Sequence, residues 1–317
     1  MVETVATKPN ADIQNDTQVL PKTHLMHLVS HPVQYYTPLY ARIAGDSEFD
    51  FIVLYCSKKG LEVAHDVEFG VAVKWDVPLL EGYAYKFLKN HAKKESLDHF
   101  IGLLNWGIVR ELAAAPKGSI IWVHGWNYAT HLLAVFVGKW YGHRVFMRGD
   151  NTAVNEANQP NNFKKRFKKF WFGKILFPMI DTFLAVGNQN KAFFKLFGVQ
   201  DHKIIMAPHC IDNQRFIEQN NILKKDKNAL RQSLGIPLSK TVLIFSGKYI
   251  EKKRPLDLLQ ALTLLPPNAN VFAVFVGEGN LRSEMEQFIA EHNLMNKVLL
   301  TGFVNQSLMP QSPEHMT

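Results

Sequence analysis

The feature that most constrains the fold is an alternation, from His24 onward, of short β-rich runs with longer amphipathic segments. The short runs are almost continuously apolar, as in Phe51 to Leu54, and many end near Gly, His or Ser. Such runs suit strands covered on both faces, and the alternation is typical of βαβ units around a parallel sheet. The sequence therefore predicts an α/β protein.

Two successive series of these units predict two similar domains. The first series has strands at 24–30, 49–56, 119–124, 143–148, 181–186 and 203–207. The second has strands at 241–246, 271–276 and 297–300, with helices at 255–265 and 281–292. A doubly wound domain usually carries about six strands. We therefore expect a flexible tail at 1–21, a complete domain at 22–210 and a partial domain at 211–317.

Composition agrees with a packed protein that favours anionic partners. At about 150 residues per domain, the 317 residues suggest about two domains. Hydrophobic residues make up 47%, and 36 Lys plus Arg against 28 Asp plus Glu give a net charge of +8.

The cysteines and the apolar stretches bear on the cellular compartment and on membrane insertion. Cys56 and Cys210 lie far apart, which predicts neither a disulfide framework nor a cysteine metal site and fits a reducing cytoplasm. The apolar stretches are far shorter than the ~20 residues that a membrane-spanning helix needs.

A glycine-rich and basic region follows the strands of the second series. Gly247 ends the strand at 241–246, Lys248 and Lys253 lie in the next loop, and a helix starts at Pro255. Lysines and helix N–H groups converge there as they would around a phosphate, although a solvated charged loop is the alternative. Gly277 and Gly279 allow close approach of a flat ligand, or simply form a tight turn.

Taken in order, these motifs resemble a known family. The residues are Gly247, Lys248, Lys253, Ala261, the Gly277/Gly279 pair and Gly302-Phe303-Val304. Together they resemble the nucleotide-sugar half of the GT-B glycosyltransferases, of the retaining family-4 type (glycosyl transferases group 1). The stretch 207–216 is similar to the family's P-N-G-V-D-x-x-x-F and departs from it at His209 and Cys210.

The resemblance implies an activity and a set of partners. The fold would be two Rossmann-like domains, and the reaction would move a sugar from a nucleotide diphosphate sugar to a glycan or lipid-linked acceptor with retention. No cofactor or metal is implied, because a basic pair, here Lys248 and Lys253, offsets the charge of the departing diphosphate.

The same resemblance assigns the remaining site residues. It implies donor contacts from the glycine loops and the segment after the last strand. These residues are Gly247, Lys248, Lys253, Gly277, Gly279, Phe303 and Val304. His124 resembles the family's histidine near the transferred sugar, and a hydrogen-bonded strand-end imidazole is the alternative. Acceptor contacts are expected from His31 and Gln34 and from Arg148 and Asp150, the latter two with a structural ion pair as the alternative.

One signature of the family is absent. Glu278 and Glu286 have the spacing of its Glu-x7-Glu motif, but they precede Gly302 and Phe303, whereas the family's pair follows them. We therefore expect the 317-residue chain to be inactive as a transferase. The alternative to a glycosyltransferase is an inactive remnant or a non-catalytic binding subunit that keeps the acceptor domain.

A cationic aromatic helix is predicted at 163–171. Its apolar face carries Phe163, Phe167, Phe170 and Trp171. We expect this face to pack on the sheet, with peripheral membrane contact as the alternative and a cytoplasmic or membrane-associated location. Nucleic acid is not an expected partner, because no recognition motif accompanies the cations.

Overall fold

The structure, a computed structural model, describes residues 22–66, 70–158, 160, 163–223 and 227–306. The tail expected at 1–21 and the residues from 307 onward lie outside this part of the chain. Within it, the strands form two parallel sheets and one small antiparallel hairpin. The chain is thus an α/β protein, as the alternation of runs predicts.

Seven parallel strands form the first sheet. They are β1 (Thr23–Val29), β2 (Phe49–Tyr55), β5 (Ala84–Phe87), β6 (Ile120–His124), β7 (Arg144–Gly149), β8 (Thr182–Ala185) and β9 (Ile204–Met206). Their order is β5-β2-β1-β6-β7-β8-β9, while β3 (Ala64–Asp66) and β4 (Val71–Val73) pair as the hairpin. The order reverses at β1, so the carboxyl ends of β1 and β6 border the crevice where doubly wound sheets bind ligands.

The six strands predicted for this sheet are present, but β5 was not predicted. Three of its four residues are exposed, so it lacks the apolar run that marks a buried strand. It forms the sheet edge beside β2.

Ten α-helices are found in the described residues. They are α1 (Thr37–Ala44), α2 (Gly107–Ala114), α3 (Ala129–Trp140), α4 (Ala153–Ala157), α5 (Phe163–Phe170), α6 (Asn188–Leu196), α7 (Asn213–Leu223), α8 (Lys227–Ser233), α9 (Pro255–Thr263) and α10 (Arg282–Glu291). A π-helix, Trp171–Leu176, continues α5. Strand residues such as Leu28, Val53 and Ile121 are fully buried, which places the core on both faces of the first sheet.

The second sheet consists of β10 (Thr241–Ser246), β11 (Val271–Val276) and β12 (Val298–Gly302), in that order. β11 is the middle strand, and five of its six residues are buried. Around it, Tyr249, Leu259, Phe275 and Met285 form a fully buried cluster with α9 and α10. Pro255 begins α9 as predicted, because its fixed φ suits a first helical turn.

The expectation that the aromatic face at 163–171 packs on the sheet is wrong for its three phenylalanines, whereas Trp171 packs against the buried apolar cluster of the first sheet. Phe163 is 82% exposed, and Phe167 and Phe170 are each 56% exposed. Their spacing does put them on one face of the helix, as predicted, but that face points to solvent. Amphipathic spacing identifies an apolar face without saying what covers it.

A buried asparagine ties the carboxyl ends of β2 and β5 together. The side-chain amide of Asn105 donates to the carbonyl oxygens of Cys56 at 2.9 Å and Leu88 at 2.8 Å. Asn105 is 1% exposed, so neither carbonyl can turn to water in its place.

We expect Asn105→Leu to lower the free energy of unfolding by about 2–4 kcal/mol, because two buried carbonyl groups lose their donor. Urea unfolding at neutral pH measures the loss. The same change at the exposed Asn268 is the control and should stay within about 0.5 kcal/mol of the unchanged protein. An equal effect at both positions would show that the buried amide is not structural.

Candidate functional site

Polar side chains meet at the carboxyl ends of β6 and β7. His124 ends β6 and lies opposite Arg148 of β7 in the strand register. The Tyr36 hydroxyl is 3.3 Å from His124 Nε2, and Arg148 Nη2 donates to His209 Nδ1 at 3.3 Å. His124 and Arg148 are residues that the sequence predicts for the site, whereas Tyr36 is not. His209, one of the two positions where the chain departs from the family pattern, also lies within this cluster.

Two further histidines lie close to this cluster. His27, in the middle of β1, is fully buried and donates from Nδ1 to the carbonyl oxygen of Trp122 at 3.1 Å. Its ring centroid lies 5.9 Å from that of His124. His131, in the first turn of α3, is 1% exposed. A histidine inside an apolar strand was the one signal that could have drawn attention to His27.

Burial keeps these imidazoles neutral at pH 7. It lowers the pKa of His124 to about 4, with the positive charge of Arg148 acting in the same direction and the Asp150 carboxylate against it. Burial likewise lowers the pKa of His131 to about 3 and that of His27 well below its ordinary value. Burial raises the pKa of Tyr36, so its hydroxyl keeps its proton.

This cluster can therefore bind a polar ligand through neutral donors and acceptors beside one guanidinium. Within the described residues, His124 Nδ1 and Arg148 Nε have no hydrogen-bond partner. Unsatisfied polar groups of this kind are costly unless a ligand or water meets them. Hydroxyl groups and anions are the ligands that such groups recognise.

Of the other predicted acceptor residues, Asp150 directly follows β7, whereas His31 and Gln34 lie in the loop after β1. The hydroxyl of Ser30 and Nδ1 of His31 are 2.9 Å apart, and burial lowers the pKa of His31 to about 4 with help from Lys59. Gln34 is half-buried in the turn before α1. None of the hydrogen bonds described for His31 joins it to His124.

The three strands of the second sheet each reach a glycine at or just after the carboxyl end. The Gly277 N–H donates to the Gly302 carbonyl at 3.0 Å, and the Gly247 N–H donates to the Val276 carbonyl at 2.9 Å. A Cβ at Gly277 would lie 1.9 Å from the Gly247 oxygen, and one at Gly279 would lie 2.4 Å from the Tyr249 oxygen. These glycines are therefore needed for contact between neighbouring loops, in addition to any ligand approach.

The loop that carries the two lysines is anchored by Tyr249. This fully buried residue donates from its hydroxyl to the Phe275 carbonyl and from its N–H to the Glu278 carbonyl, both at 2.8 Å. Lys248 is half-buried beside it, and Lys253 is exposed at the end of a single 3₁₀ turn, directly before α9. The loop thus presents cations near a helix N-terminus, the arrangement that the sequence predicts.

The segment after β12 contacts residues that follow β4. The Phe303 ring centroid is 6.3 Å from that of Trp75, and the Asn305 side-chain amide donates to the Lys74 carbonyl at 2.6 Å. Val304 packs on the apolar cluster between the second sheet and α8. Phe303 and Val304 therefore begin a segment that joins the end of the second sheet to the loop after β4.

Glu278 and Glu286 have a structural partner. Both carboxylates bind the Arg282 guanidinium, Glu278 through Nη1 and Glu286 through Nε at 2.8 Å. Arg282, the first residue of α10, lies four residues from each glutamate and pairs with both. The spacing of Glu278 and Glu286 therefore has a structural explanation that is separate from the family's motif. The described residues contain no cluster of three or more potential metal ligands.

Part of the chain is similar to a known protein family. Residues 226–311 match the family "Glycosyl transferases group 1". The putative colanic acid biosynthesis glycosyl transferase WcaI of Escherichia coli K12 is 29% identical over 107 residues, which are 34% of this chain. That match spans only 25% of the relative's own length.

Solved structures share the fold at low identity. HepE of Anabaena, solved with UDP, has a TM-score of 0.60 and 14% identity, covering 91% of this chain and 71% of HepE. A glycosyltransferase from Rickettsia africae has a TM-score of 0.62 and 14% identity, covering 91% and 70%. UDP-GlcNAc 2-epimerase from Neisseria meningitidis has a TM-score of 0.51 and 12% identity, covering 89% and 72%, so the fold does not by itself select the reaction. Residues 226–311 thus match the glycosyl transferases group 1 family, within an α/β fold that resembles that of GT-B glycosyltransferases.

Proposed function

We propose that the protein transfers a sugar from a nucleotide diphosphate sugar to a glycan or lipid-linked acceptor, with retention of the anomeric configuration. The observation that carries the proposal is the basic loop after β10, which lies within the matched residues and before the N-terminus of α9. HepE, a solved protein of the same fold, was solved in complex with UDP and with UDP-glucose. The nucleotide sugar is therefore the partner best supported for this chain.

In the proposed reaction, Lys248 and Lys253 stabilise the leaving group. As the bond between the sugar carbon and the phosphate oxygen breaks, negative charge grows on the nucleotide diphosphate. Fixed cations aimed at developing charge give a large part of the acceleration in transfer reactions. The proposed reaction uses the nucleotide sugar as its donor substrate and needs no cofactor. Gly247, Gly277 and Gly279 are proposed to shape the loops that bind this donor.

The acceptor is proposed to meet the polar cluster on the first sheet. His124 and Tyr36 supply neutral groups for a hydroxyl, and Arg148 with Asp150 supplies charge nearby. The unpartnered atoms of His124 and Arg148 support this role. A lipid-linked acceptor would in addition bring the protein to a membrane surface, and the exposed aromatic face of α5 supports peripheral contact of that kind.

We expect UDP to bind the unchanged chain and to bind Lys253→Ala about ten- to a hundredfold more weakly, since one charge-assisted contact to phosphate is lost. Isothermal titration calorimetry measures both affinities. Lys252→Ala is the matched control, because Lys252 is the preceding exposed lysine of the same turn. Equal affinities for the two variants would remove Lys253 from the donor site.

The absence of turnover by the 317-residue chain stays a prediction. A panel of nucleotide sugars, followed by release of the nucleotide, tests it on the purified protein. Binding of UDP without turnover would favour a non-catalytic binding subunit. Turnover would contradict the expected inactivity while leaving the proposed reaction intact.

A further inference from the structure

The helix α5 presents its aromatic side chains outward. Phe163, Phe167 and Phe170 recur at positions i, i+4 and i+7, so they form one continuous stripe, and each is more than half exposed. An α-helix on a globular protein normally buries such a stripe against the core. Here the stripe is left uncovered by the described residues.

The opposite side of α5 is cationic and holds the helix to the protein. Lys168 Nζ binds the buried carboxylate of Glu156 and lies 5.8 Å from the Phe172 ring centroid. Lys165 Nζ donates to the Ala157 carbonyl at 3.4 Å. The helix is therefore attached through two lysines, and its outward stripe follows from this attachment.

An open cleft of about 840 Å³ lies beside the stripe. Four cations line it, namely Arg166, Lys169, Lys174 and Lys195, and no described lining residue is acidic. Lys195 pairs with Asp201 at 2.7 Å, whereas the other three form no ion pair with any described residue. The rim also includes Leu196, which is 50% exposed. The cleft thus combines unneutralised positive charge with an apolar border.

We propose that this face docks on a membrane and binds the phosphate of an anionic phospholipid headgroup in the cleft. We call it the docking face and define it as Phe163, Phe167, Phe170 and Leu196 with Arg166, Lys169 and Lys174. The apolar members enter the boundary between headgroups and acyl chains, and the cations meet the phosphates. A bilayer surface supplies both an apolar layer and negative charge, which matches both halves of the face.

Charge also argues against a second copy of the chain as the occupant. A face-to-face dimer would bring the cations of one docking face against those of the other, in a protein whose net charge is already +8. Free phosphate would neutralise the cleft but would leave the phenylalanine stripe in water. No helix in the described residues is long and apolar enough to cross a membrane, so the docking is proposed as peripheral.

Vesicle sedimentation tests the proposal on the full chain. The vesicles are phosphatidylcholine alone, or phosphatidylcholine with about 30% phosphatidylglycerol. We expect binding to the anionic vesicles only, weakening steeply as salt is raised. Inorganic phosphate added at constant ionic strength should not release the bound protein. Sedimentation reads binding alone, so its outcome does not depend on the proposed sugar transfer.

Two double variants separate the contribution of the cations to membrane binding from that of the phenylalanines. Arg166→Glu with Lys169→Glu should weaken partitioning at least about 25-fold, at about fivefold for each cation removed. Phe163→Ser with Phe167→Ser should weaken it about tenfold or more and leave the melting temperature unchanged, because both side chains are exposed. The control is Lys117→Glu with Trp140→Ser, the same kinds of change at an exposed lysine and a tryptophan that is 86% exposed.

Four results would overturn the proposal. Equal binding by the control and the docking-face variants would make the attraction non-specific. A concentration-dependent dimer in light scattering that Phe167→Ser abolishes would assign the face to a second copy. Release by inorganic phosphate, or no binding to either kind of vesicle, would contradict a lipid headgroup in the cleft.

Discussion

Replacing Gly277 by alanine is expected to lower the free energy of unfolding by about 3–5 kcal/mol and to abolish detectable UDP binding. The new Cβ would lie 1.9 Å from the Gly247 carbonyl oxygen and 3.3 Å from the Tyr249 ring. Backbone cannot yield as a flexible side chain does, so the loop that carries Lys248 must move. Because that loop is the proposed site of the diphosphate, stability and nucleotide affinity should fall together.

The control for this experiment is Gly235→Ala. Gly235 also has a positive φ, of 68°, but a Cβ there meets nothing within 4 Å. Its substitution should cost only the backbone strain of about 1 kcal/mol and should leave UDP binding unchanged. Urea unfolding and calorimetry give both quantities. A Gly277→Ala protein as stable as the Gly235→Ala protein would mean that the loops can separate without loss.

Acid is expected to destabilise the protein strongly through its buried histidines. In the unfolded chain these side chains titrate near 6.5, whereas folding lowers the pKa of His131 to about 3 and that of His27 well below 6.5. Between these values the unfolded state binds protons that the folded state excludes, so stability falls as the pH falls below about 6.5. At pH 5 His131 contributes a loss of about 2 kcal/mol, which is a large part of an ordinary domain's stability, and His27 adds to the loss in the same direction.

Urea unfolding at pH 7 and pH 5 measures this loss, and His131→Leu assigns it. The variant should lose about 2 kcal/mol less than the unchanged protein over this interval, since one buried imidazole is gone. His99→Leu, at an exposed position, should keep the full pH dependence. The same dependence in His131→Leu would rule out this origin of acid sensitivity.

The sequence predicts those parts of the fold whose signal is local. Buried strands such as β1, β6 and β11 are continuous apolar runs, so their positions follow from residue type. The exposed edge strand β5 and the short hairpin carry no such run and were missed. The orientation of α5 was predicted wrongly because it depends on Glu156 and the Ala157 carbonyl, which attach its cationic side.

The candidate site also has residues that the local sequence predicts and residues that it does not. His124 and Arg148 could be named because strand ends mark the binding edge of a parallel sheet. Tyr36 and His209 could not, since their contacts join residues 88 and 61 positions apart in the chain. The glycines were predicted from their motif, but the contact between the Gly247 and Gly277 loops appears only in three dimensions. Such contacts are set by tertiary packing, which a single sequence does not display.

The position of β1 in the sheet has a consequence for synthesis of the protein on the ribosome. One edge of β1 pairs with β2, with Thr23 opposite Phe49. Its other edge pairs with β6, with Leu25 opposite Ile120, and β6 is synthesised much later. At about 5–20 residues per second, the chain between Tyr55 and Ile120 takes about 3–13 s to make. During that interval a nascent apolar strand keeps one bare edge, which is a template for wrong pairing. We therefore expect the yield of folded protein to rise when translation-coupled chaperones cover that edge.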